Sequence, residues 1–284
     1  MAIIDLFVCL YNESYRYAEF TKDISSILLS NKHKINWKCV SCGKPKKIPR
    51  GYEYVGSASG GKSPSMRHGI TLNKASKLAT EKYVIMLDTD LVILCKDWDD
   101  VIIKNLDKDC AAFGAGSPSQ IRRAQNFPFA YFFCYRRDLL KELKLDFRPR
   151  DSKSGNQIRG IVKTCREKDV LGLPFGSKFR WETSSRIPFL FYDNNLKSKS
   201  LGCVLGDSSK VKLPFLDKKS KKEYLKMLNK SKLAREYMEE WHYKDNLFAT
   251  HLRGSILYSF DDEYVQHWIK RINLYLKSQY RIIM

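Results

Sequence analysis

The sequence predicts an α/β fold, a single domain in which helices flank a mainly parallel sheet. Two observations lead to this prediction. Over the first 115 residues, short apolar runs alternate with segments of helical periodicity, the order expected when helices connect parallel strands. The chain has 284 residues, of which 43% are hydrophobic, so one substantial core can be buried.

Most elements are predicted within these first 115 residues. Residues 3–9 form an apolar run that only Asp5 interrupts, which is typical of a buried strand. Residues 56–65 are rich in Gly and Ser and predict a flexible loop. Strands are expected at 3–9, 35–40, 52–55 and 83–87, and helices over 15–30 and through 72–79.

The second half of the sequence is less regular. A strand is expected at 129–135, a loop at 149–160, and an amphipathic helix with its apolar stripe over 265–276. The densest basic stretch, 197–235, has twelve Lys or Arg residues. We interpret it as a solvated helix face, as a surface for an anionic membrane or an acceptor, or as a nucleic-acid-binding surface.

Charge is the unusual feature of the composition. Lys and Arg number 51 against 31 Asp and Glu, a formal net charge of +20. This surplus suits a polyanionic or phosphorylated partner or an anionic membrane, and it also suits a lysine-rich solvated surface. No apolar run approaches the roughly 18 residues of a membrane span, no basic segment precedes the first apolar run, and the eight cysteines are scattered. The sequence therefore predicts a cytoplasmic protein with reduced thiols, and peripheral membrane contact is left open.

The strongest chemical signal is the pair Asp88 and Asp90, which follows the apolar strand 83–87. In an open α/β sheet, ligands bind at the carboxyl ends of the strands. Alternate residues of an extended segment point the same way, so the two carboxylates can share one site. Paired carboxylates repel each other unless a cation or a ligand hydroxyl satisfies them, and a hard divalent cation is their natural partner. The plainer alternative is a strand that ends in solvated acids.

The sequence around this pair resembles the nucleotide-sugar-binding half of GT-A-type glycosyltransferases, family 2-like enzymes in particular. The resemblance covers roughly residues 3–95 and consists of the segments 8–13 (VCLYNE), 65–73 (SMRHGITLN) and 79–90 (ATEKYVIMLDTD), in that order. It implies transfer of a sugar from a UDP- or GDP-sugar to a hydroxyl of a glycan or other acceptor, with Mn²⁺ or Mg²⁺ as cofactor and no nucleic acid as partner. Within the single GT-A-like domain 1–284, residues 1–115 would bind the donor and residues 116–284 would form the acceptor side.

The resemblance also implies roles for individual residues. Asp90 would ligate the cation together with Asp88 and His251, a late histidine in the segment 248–255 (FATHLRGS). Asp88 would in addition contact the ribose or the sugar. Further nucleotide-sugar contacts are expected from Leu10, Tyr11, Glu13, Arg67, His68, Thr89 and Arg253.

The resemblance further implies a base for an inverting enzyme. Glu182 would accept the proton of the acceptor hydroxyl. Ser184 follows two positions later, where the family usually has Gly. A retaining enzyme needs no such base.

A P-loop is the main competing prediction. Residues 56–63 (GSASGGKS) satisfy the pattern G-x-x-x-x-G-K-[ST], which predicts ATP or GTP binding that depends on Lys62. Pro64 counts against this alternative, because it removes a donor where the phosphate-binding helix would start.

Two further alternatives do not involve the acidic pair. Cys39 and Cys42 would be half of a zinc site, with His33 as the only nearby third ligand, or else they are free thiols. The basic surface, in turn, would suit a polyanion- or membrane-binding protein without catalytic activity.

Overall fold

The computed structural model describes residues 1–11, 13–106, 110–116, 127–149, 183–184, 187–205, 238–244, 246–252 and 259–283. The described residues form ten strands and six helices. The strands are β1 (Ile3–Leu10), β2 (Lys34–Cys42), β3 (Glu53–Ala58), β4 (Tyr83–Leu87), β5 (Leu91–Ile93), β6 (Cys110–Gly116), β7 (Pro128–Arg136), β8 (Lys197–Leu205), β9 (Met238–Tyr243) and β10 (Asn246–Leu252). The helices are α1 (Tyr15–Ile27), α2 (Pro64–Leu78), α3 (Trp98–Asn105), α4 (Arg137–Leu140), α5 (Ile187–Asp193) and α6 (Glu263–Tyr280).

The ten strands form one continuous sheet, in the order β3-β2-β1-β4-β7-β6-β8-β9-β10-β5. Among the seven strands from β3 to β8, only β7 runs against the others, so this part is mainly parallel. Beyond β8, the strands β9, β10 and β5 pair in antiparallel fashion. The predicted α/β fold with a mainly parallel sheet is confirmed.

Both faces of the sheet are covered by helices. Leu6 and Val8 of β1 pack on the face that α1, α3 and α6 cover, and Phe7 packs on the face that α2 and α5 cover. Burial on both faces explains why β1 and β4 consist of nearly continuous apolar residues. No helix in the described ranges is both long and apolar enough to cross a membrane.

Two predicted boundaries within the first 115 residues need correction. β3 continues to Ala58, so the start of the predicted loop 56–65 is strand, and its pairing with Val40–Cys42 of β2 outweighs the local flexibility of the Gly/Ser sequence. α1 ends at Ile27 instead of near residue 30. Asn31 shortly after it has a φ of 60°, which a right-handed helix does not accommodate.

The basic stretch 197–235 also needs correction where it is described. Residues 197–205 form β8 and not a helix face, and exposed Lys197 and Lys199 alternate with less exposed Ser198 and Ser200. The remaining residues of this stretch, and all but the start of the predicted loop 149–160, lie outside the described residues.

The acidic residue in β1 connects three parts of the sheet. Asp5 is fully buried, and its Oδ1 lies 2.7 Å from Nζ of Lys38 in β2. Its Oδ2 accepts the backbone N–H groups of Thr80 at 2.8 Å and Glu81 at 3.2 Å, in the turn before β4. Burial would raise the pKa of Asp5, but Lys38 and the backbone donors outweigh burial and lower it. Asp5 thereby fixes the strand that leads into the acidic pair.

Gly69 of α2 allows the segment 146–148 to pack directly on the helix. A Cβ at this position would lie only 2.6 Å from the backbone oxygen of Phe147. One turn later, Asn73 accepts the Phe147 N–H at 2.8 Å and donates to Asp146 Oδ1 at 3.0 Å. Two residues of the segment 65–73 thus dock this part of the chain.

We expect Gly69→Ala to lower the free energy of unfolding by about 1–3 kcal/mol, as overpacking does. The added methyl group would meet backbone atoms of 147 and 148, which cannot rotate away as a side chain can. Urea unfolding followed by circular dichroism measures the change. Lys77→Ala, at an exposed position of the same helix, is the control and should change stability by less than about 0.5 kcal/mol. Equal stabilities of the two variants would contradict this packing account.

Candidate functional site

Three side chains meet at the carboxyl end of β4. Asp88 follows β4, Asp90 precedes β5, and His251 lies in β10, opposite Leu91 of β5. One ligand atom from each of the three lies within 4.8 Å of the others. Only residues 88–90 separate β4 from β5, although β5 is the last strand of the sheet. Because β5 starts directly after Asp90 and pairs with β10, this pairing brings His251 of β10 to the acidic pair.

The backbone of the acidic segment is held by three neighbouring elements. Its hydrogen bonds run from Asp88 N–H to Tyr131 O in β7 (2.8 Å), from the Thr21 hydroxyl of α1 to Thr89 O (2.7 Å) and from Leu252 N–H of β10 to Asp90 O (3.0 Å). Because these anchors fix the main chain, both carboxylates project from defined positions.

His251 is fixed on several sides. Its Nε2 lies 3.3 Å from Asp90 Oδ1, and its Nδ1 lies 2.8 Å from Glu239 Oε2 in β9. Its ring stacks on Tyr131 with centroids 5.3 Å apart and an interplanar angle of 21°. Burial would lower the pKa of His251, but the two carboxylates outweigh burial and raise it well above its usual value.

His68 of α2 contacts the other carboxylate. Its Nε2 lies 3.2 Å from Asp88 Oδ1, and its ring meets the Tyr11 ring edge-on at 5.9 Å. Burial opposes charge on both partners, yet their mutual attraction raises the pKa of His68 well above its usual value and lowers that of Asp88. Each carboxylate of the acidic pair therefore contacts a different histidine, Asp88 contacting His68 and Asp90 contacting His251.

The other predicted site residues differ in their placement. Leu10, at the end of β1, and Thr89, between the two aspartates, are both buried. Glu13 is 67% exposed and pairs with Lys46 at 2.6 Å, while the exposed Arg67 donates through Nε to the backbone oxygen of Gly61. Glu182 and Arg253 lie outside the described residues. The nucleotide contacts expected of Glu13, Arg67 and Arg253 stay predictions, as does the base role of Glu182.

Glu239 is a site residue that the sequence analysis did not identify. It is 2% exposed and is paired in register with His251 across β9 and β10. The local signal in the sequence was a pair of adjacent acidic residues, Glu239 and Glu240, in a segment for which no strand was predicted. The contact of Glu239 with the site depends on strand pairing, which the sequence pattern does not specify.

Ser184, at the position where the sequence resemblance leads us to expect glycine, has a backbone conformation that favours glycine. It has a φ of 69°, in the left-handed region that favours glycine, and it is fully buried. Within the described ranges, its hydroxyl has no hydrogen-bond partner. Its N–H donates to Phe147 O at 2.6 Å, and the hydroxyl of the preceding Thr183 donates to Ser65 O at 3.1 Å. These bonds hold the segment on α2 despite the strained residue.

We expect Ser184→Gly to raise the free energy of unfolding by about 1 kcal/mol, because glycine adopts this φ without steric cost. Thermal unfolding at several scan rates measures the gain. Ser184→Ala is the matched control, since it removes the hydroxyl but keeps the Cβ that causes the strain. If the two variants were equally stable, relief of backbone strain would not be the reason for the gain in stability of Ser184→Gly.

The P-loop alternative is not favoured by the local geometry. The hydroxyl of Ser63 caps α2 by accepting the Met66 N–H at 3.2 Å, and Pro64 occupies the first turn of that helix. β3, which precedes this loop, lies three strand positions from β4, or about 14 Å across the sheet. Lys62 is exposed.

The predicted half zinc site is not formed on β2. Cys39 and Cys42 are both free, and their odd spacing directs them to opposite faces of the strand. His33 instead lies 3.5 Å from Asp100. In the part of the chain that the structure describes, the group of three potential ligands is Asp88, Asp90 and His251.

This group has the composition of a divalent metal centre. Neighbouring ligands of an octahedral ion are roughly 3 Å apart, and His251 Nε2 and Asp90 Oδ1 are 3.3 Å apart. Two carboxylates and one imidazole suit Mn²⁺, and the carboxylates also suit Mg²⁺. The residues present therefore fit the expected cation.

Comparisons with known proteins give structural matches only. No family model and no curated protein matches the chain. Among solved structures, it is similar to the mannosyltransferase PcManGT from Pyrobaculum calidifontis in complex with GDP-Man and Mn²⁺, with a TM-score of 0.38 and 17% identity over 49% of this chain and 46% of that chain.

Two further similar structures are also named glycosyltransferases. Drosophila β-1,4-galactosyltransferase 7 with manganese, UDP-Gal and xylobiose has a TM-score of 0.41 and 10% identity, over 70% of this chain and 65% of that chain. GlyE of Streptococcus pneumoniae has a TM-score of 0.37 and 15% identity, over 68% and 44%. The chain spans less than two thirds of the length of each of the three structures.

Proposed function

We propose that this protein transfers a sugar from a nucleotide-sugar donor to an acceptor hydroxyl, with a divalent cation held by Asp88, Asp90 and His251. The observation that carries the proposal is the meeting of these three ligands at the carboxyl end of β4. Ligands of open α/β sheets bind at this edge. A diphosphate is an anion that a buried acidic site binds only through a cation, so the ligand set and the predicted donor agree.

The cation would supply charge stabilisation. Bound there, it would offset the negative charge that develops on the diphosphate leaving group. Because imidazole is a poorer ligand for Mg²⁺ than for Mn²⁺, we propose Mn²⁺ as the preferred ion.

The residues of the chain would orient the donor and remove the acceptor proton. The carboxylate of Asp88, which also contacts His68, can accept a hydrogen bond from a ribose or sugar hydroxyl. The Tyr11 ring lies beside His68 at the start of the proposed nucleoside pocket. Glu182 is the proposed base if the reaction inverts configuration, since a carboxylate can take the proton as the hydroxyl attacks.

Ligand-dependent stabilisation tests this proposal. UDP, GDP, CDP, dTDP, their sugar conjugates, ATP and GTP are each added with Mn²⁺ or with chelator, and thermal unfolding is followed. A ligand at 100 times its dissociation constant should add about 2.7 kcal/mol. We expect an Mn²⁺-dependent shift with one nucleoside diphosphate family, and the same shift in Lys62→Ala.

Two results would contradict the proposal. One is the absence of a shift with every nucleoside diphosphate in Mn²⁺. The other is a shift with ATP or GTP alone that Lys62→Ala removes, which would instead support the P-loop alternative.

A further inference from the structure

We propose that Glu239 is a positioning residue that makes His251 a metal ligand and thereby sets the preference of the site for Mn²⁺ over Mg²⁺. The inference rests on the function proposed above and deepens it. It concerns a carboxylate that is not one of the three ligands and that lies behind the histidine, on the side away from Asp90.

The geometry links Glu239 to His251 alone among the three ligands. The two residues are paired in register on β9 and β10, and Glu239 Oε2 lies 2.8 Å from His251 Nδ1. Glu239 is 2% and His251 7% exposed, so water competes little for this bond. Tyr131 and Trp241 lie against the ring, with centroids 5.3 Å and 6.0 Å away. The ring therefore has little freedom to turn.

The hydrogen bond selects one tautomer. A carboxylate only accepts, so Nδ1 carries a proton toward Glu239. When a cation takes the place of the proton between Nε2 and Asp90, the lone pair of Nε2 is the one left to bind it. The negative charge of Glu239 also raises the basicity of the ring, so Nε2 becomes a stronger metal ligand. Without Glu239, the neutral ring can instead carry its single proton on Nε2, and a ring in that form cannot bind the cation through Nε2. Loss of the imidazole would leave the two aspartates, a ligand pair that suits Mg²⁺ as well as Mn²⁺.

The chain offers a matched control in the adjacent residue. Glu240 is fully buried, and its Oε2 lies 3.2 Å from Nε2 of His242. Successive strand residues point to opposite faces, so this second carboxylate–histidine pair lies on the other side of β9. Glu240→Gln removes the same charge from the same strand without touching His251.

Metal titrations test the inference. The affinity for Mn²⁺ is measured by electron paramagnetic resonance of the free ion, and Mg²⁺ is measured by competition. We expect Glu239→Gln to lower Mn²⁺ affinity by about 10–100-fold, the usual effect of removing such an outer partner, and to lower the Mn²⁺/Mg²⁺ affinity ratio about tenfold. Glu240→Gln should keep both values. Wild-type Mn²⁺ affinity and ratio in Glu239→Gln would overturn the inference, and so would equal losses in the two variants.

A second measurement on the wild-type protein covers the case in which Glu239→Gln does not fold. With ¹⁵N-labelled histidine and Mg²⁺, we expect the His251 signals of a ring protonated at Nδ1. A ring protonated at Nε2 would overturn the inference.

Asp90→Asn separates the inference on Glu239 from the proposed metal site. If the wild type binds Mn²⁺ and Asp90→Asn does not, the proposed site stands whatever Glu239→Gln shows. If the wild type binds no Mn²⁺, the proposed function fails as well.

Discussion

Asp90→Asn should abolish Mn²⁺-dependent nucleotide binding, with a loss of affinity of about 100-fold or more. Removal of an outer partner of a metal site already costs roughly 10–100-fold, and Asp90 is proposed to ligate the ion itself. The asparagine keeps the shape of the side chain and removes its charge. The backbone bond from Leu252 N–H to Asp90 O is unaffected, so the fold should survive.

Isothermal titration with the nucleoside diphosphate that stabilises the wild type, in Mn²⁺ and in chelator, measures this loss. Asp138→Asn is the control, because Asp138 is a partly exposed carboxylate that pairs with Arg136 on the surface. It should bind like the wild type. If metal-dependent affinity persists in Asp90→Asn while circular dichroism shows an intact fold, Asp90 is not a ligand.

Asp5→Asn should lower the free energy of unfolding by about 3–5 kcal/mol near neutral pH, the usual effect of removing one partner of a buried ion pair. Lys38 would keep its charge in a nearly buried position, and the N–H groups of Thr80 and Glu81 would lose a carboxylate acceptor. Urea unfolding at pH 7 gives the difference between variant and wild type.

The difference in the free energy of unfolding between the wild type and Asp5→Asn should depend on pH. The pKa of Asp5 is lowered in the folded protein, so the folded state binds the proton less readily than the unfolded state. The contribution of Asp5 is therefore complete above about pH 4 and is lost as the pH falls through the folded-state pKa. The wild-type and variant stabilities should therefore converge as the pH falls below about 4, the pKa of an aspartate in the unfolded chain. A difference that stays constant over this range would show that the charge of Asp5 is not its source.

The parts of the fold that the sequence predicted correctly are those with strong local signals. β1, apart from Asp5, and β4 are continuous apolar runs because both of their faces are covered, and the acidic pair marks the end of β4. α6 was predicted from its apolar stripe, since one face packs on the sheet. In β8, by contrast, alternating Lys and Ser residues gave a charge signal that obscured the period of two.

The parts of the site that the sequence did not provide depend on contacts between distant segments. Glu239 reaches His251 only because β9 and β10 pair in one register. His68 contacts Asp88 because the fold places α2 at the end of β4. The sequence motif 65–73 by itself implied only that His68 would contact the nucleotide. The surface pairing of Glu13 with Lys46 likewise joins residues from two loops.

A crystal structure with Mn²⁺ and the stabilising nucleoside diphosphate, with anomalous scattering used to locate manganese, would test the central claim most directly. We predict one strong manganese peak among Asp88, Asp90 and His251, with diphosphate oxygens completing its coordination. A manganese peak elsewhere, or a diphosphate bound at the loop 59–63 away from these three side chains, would contradict the account.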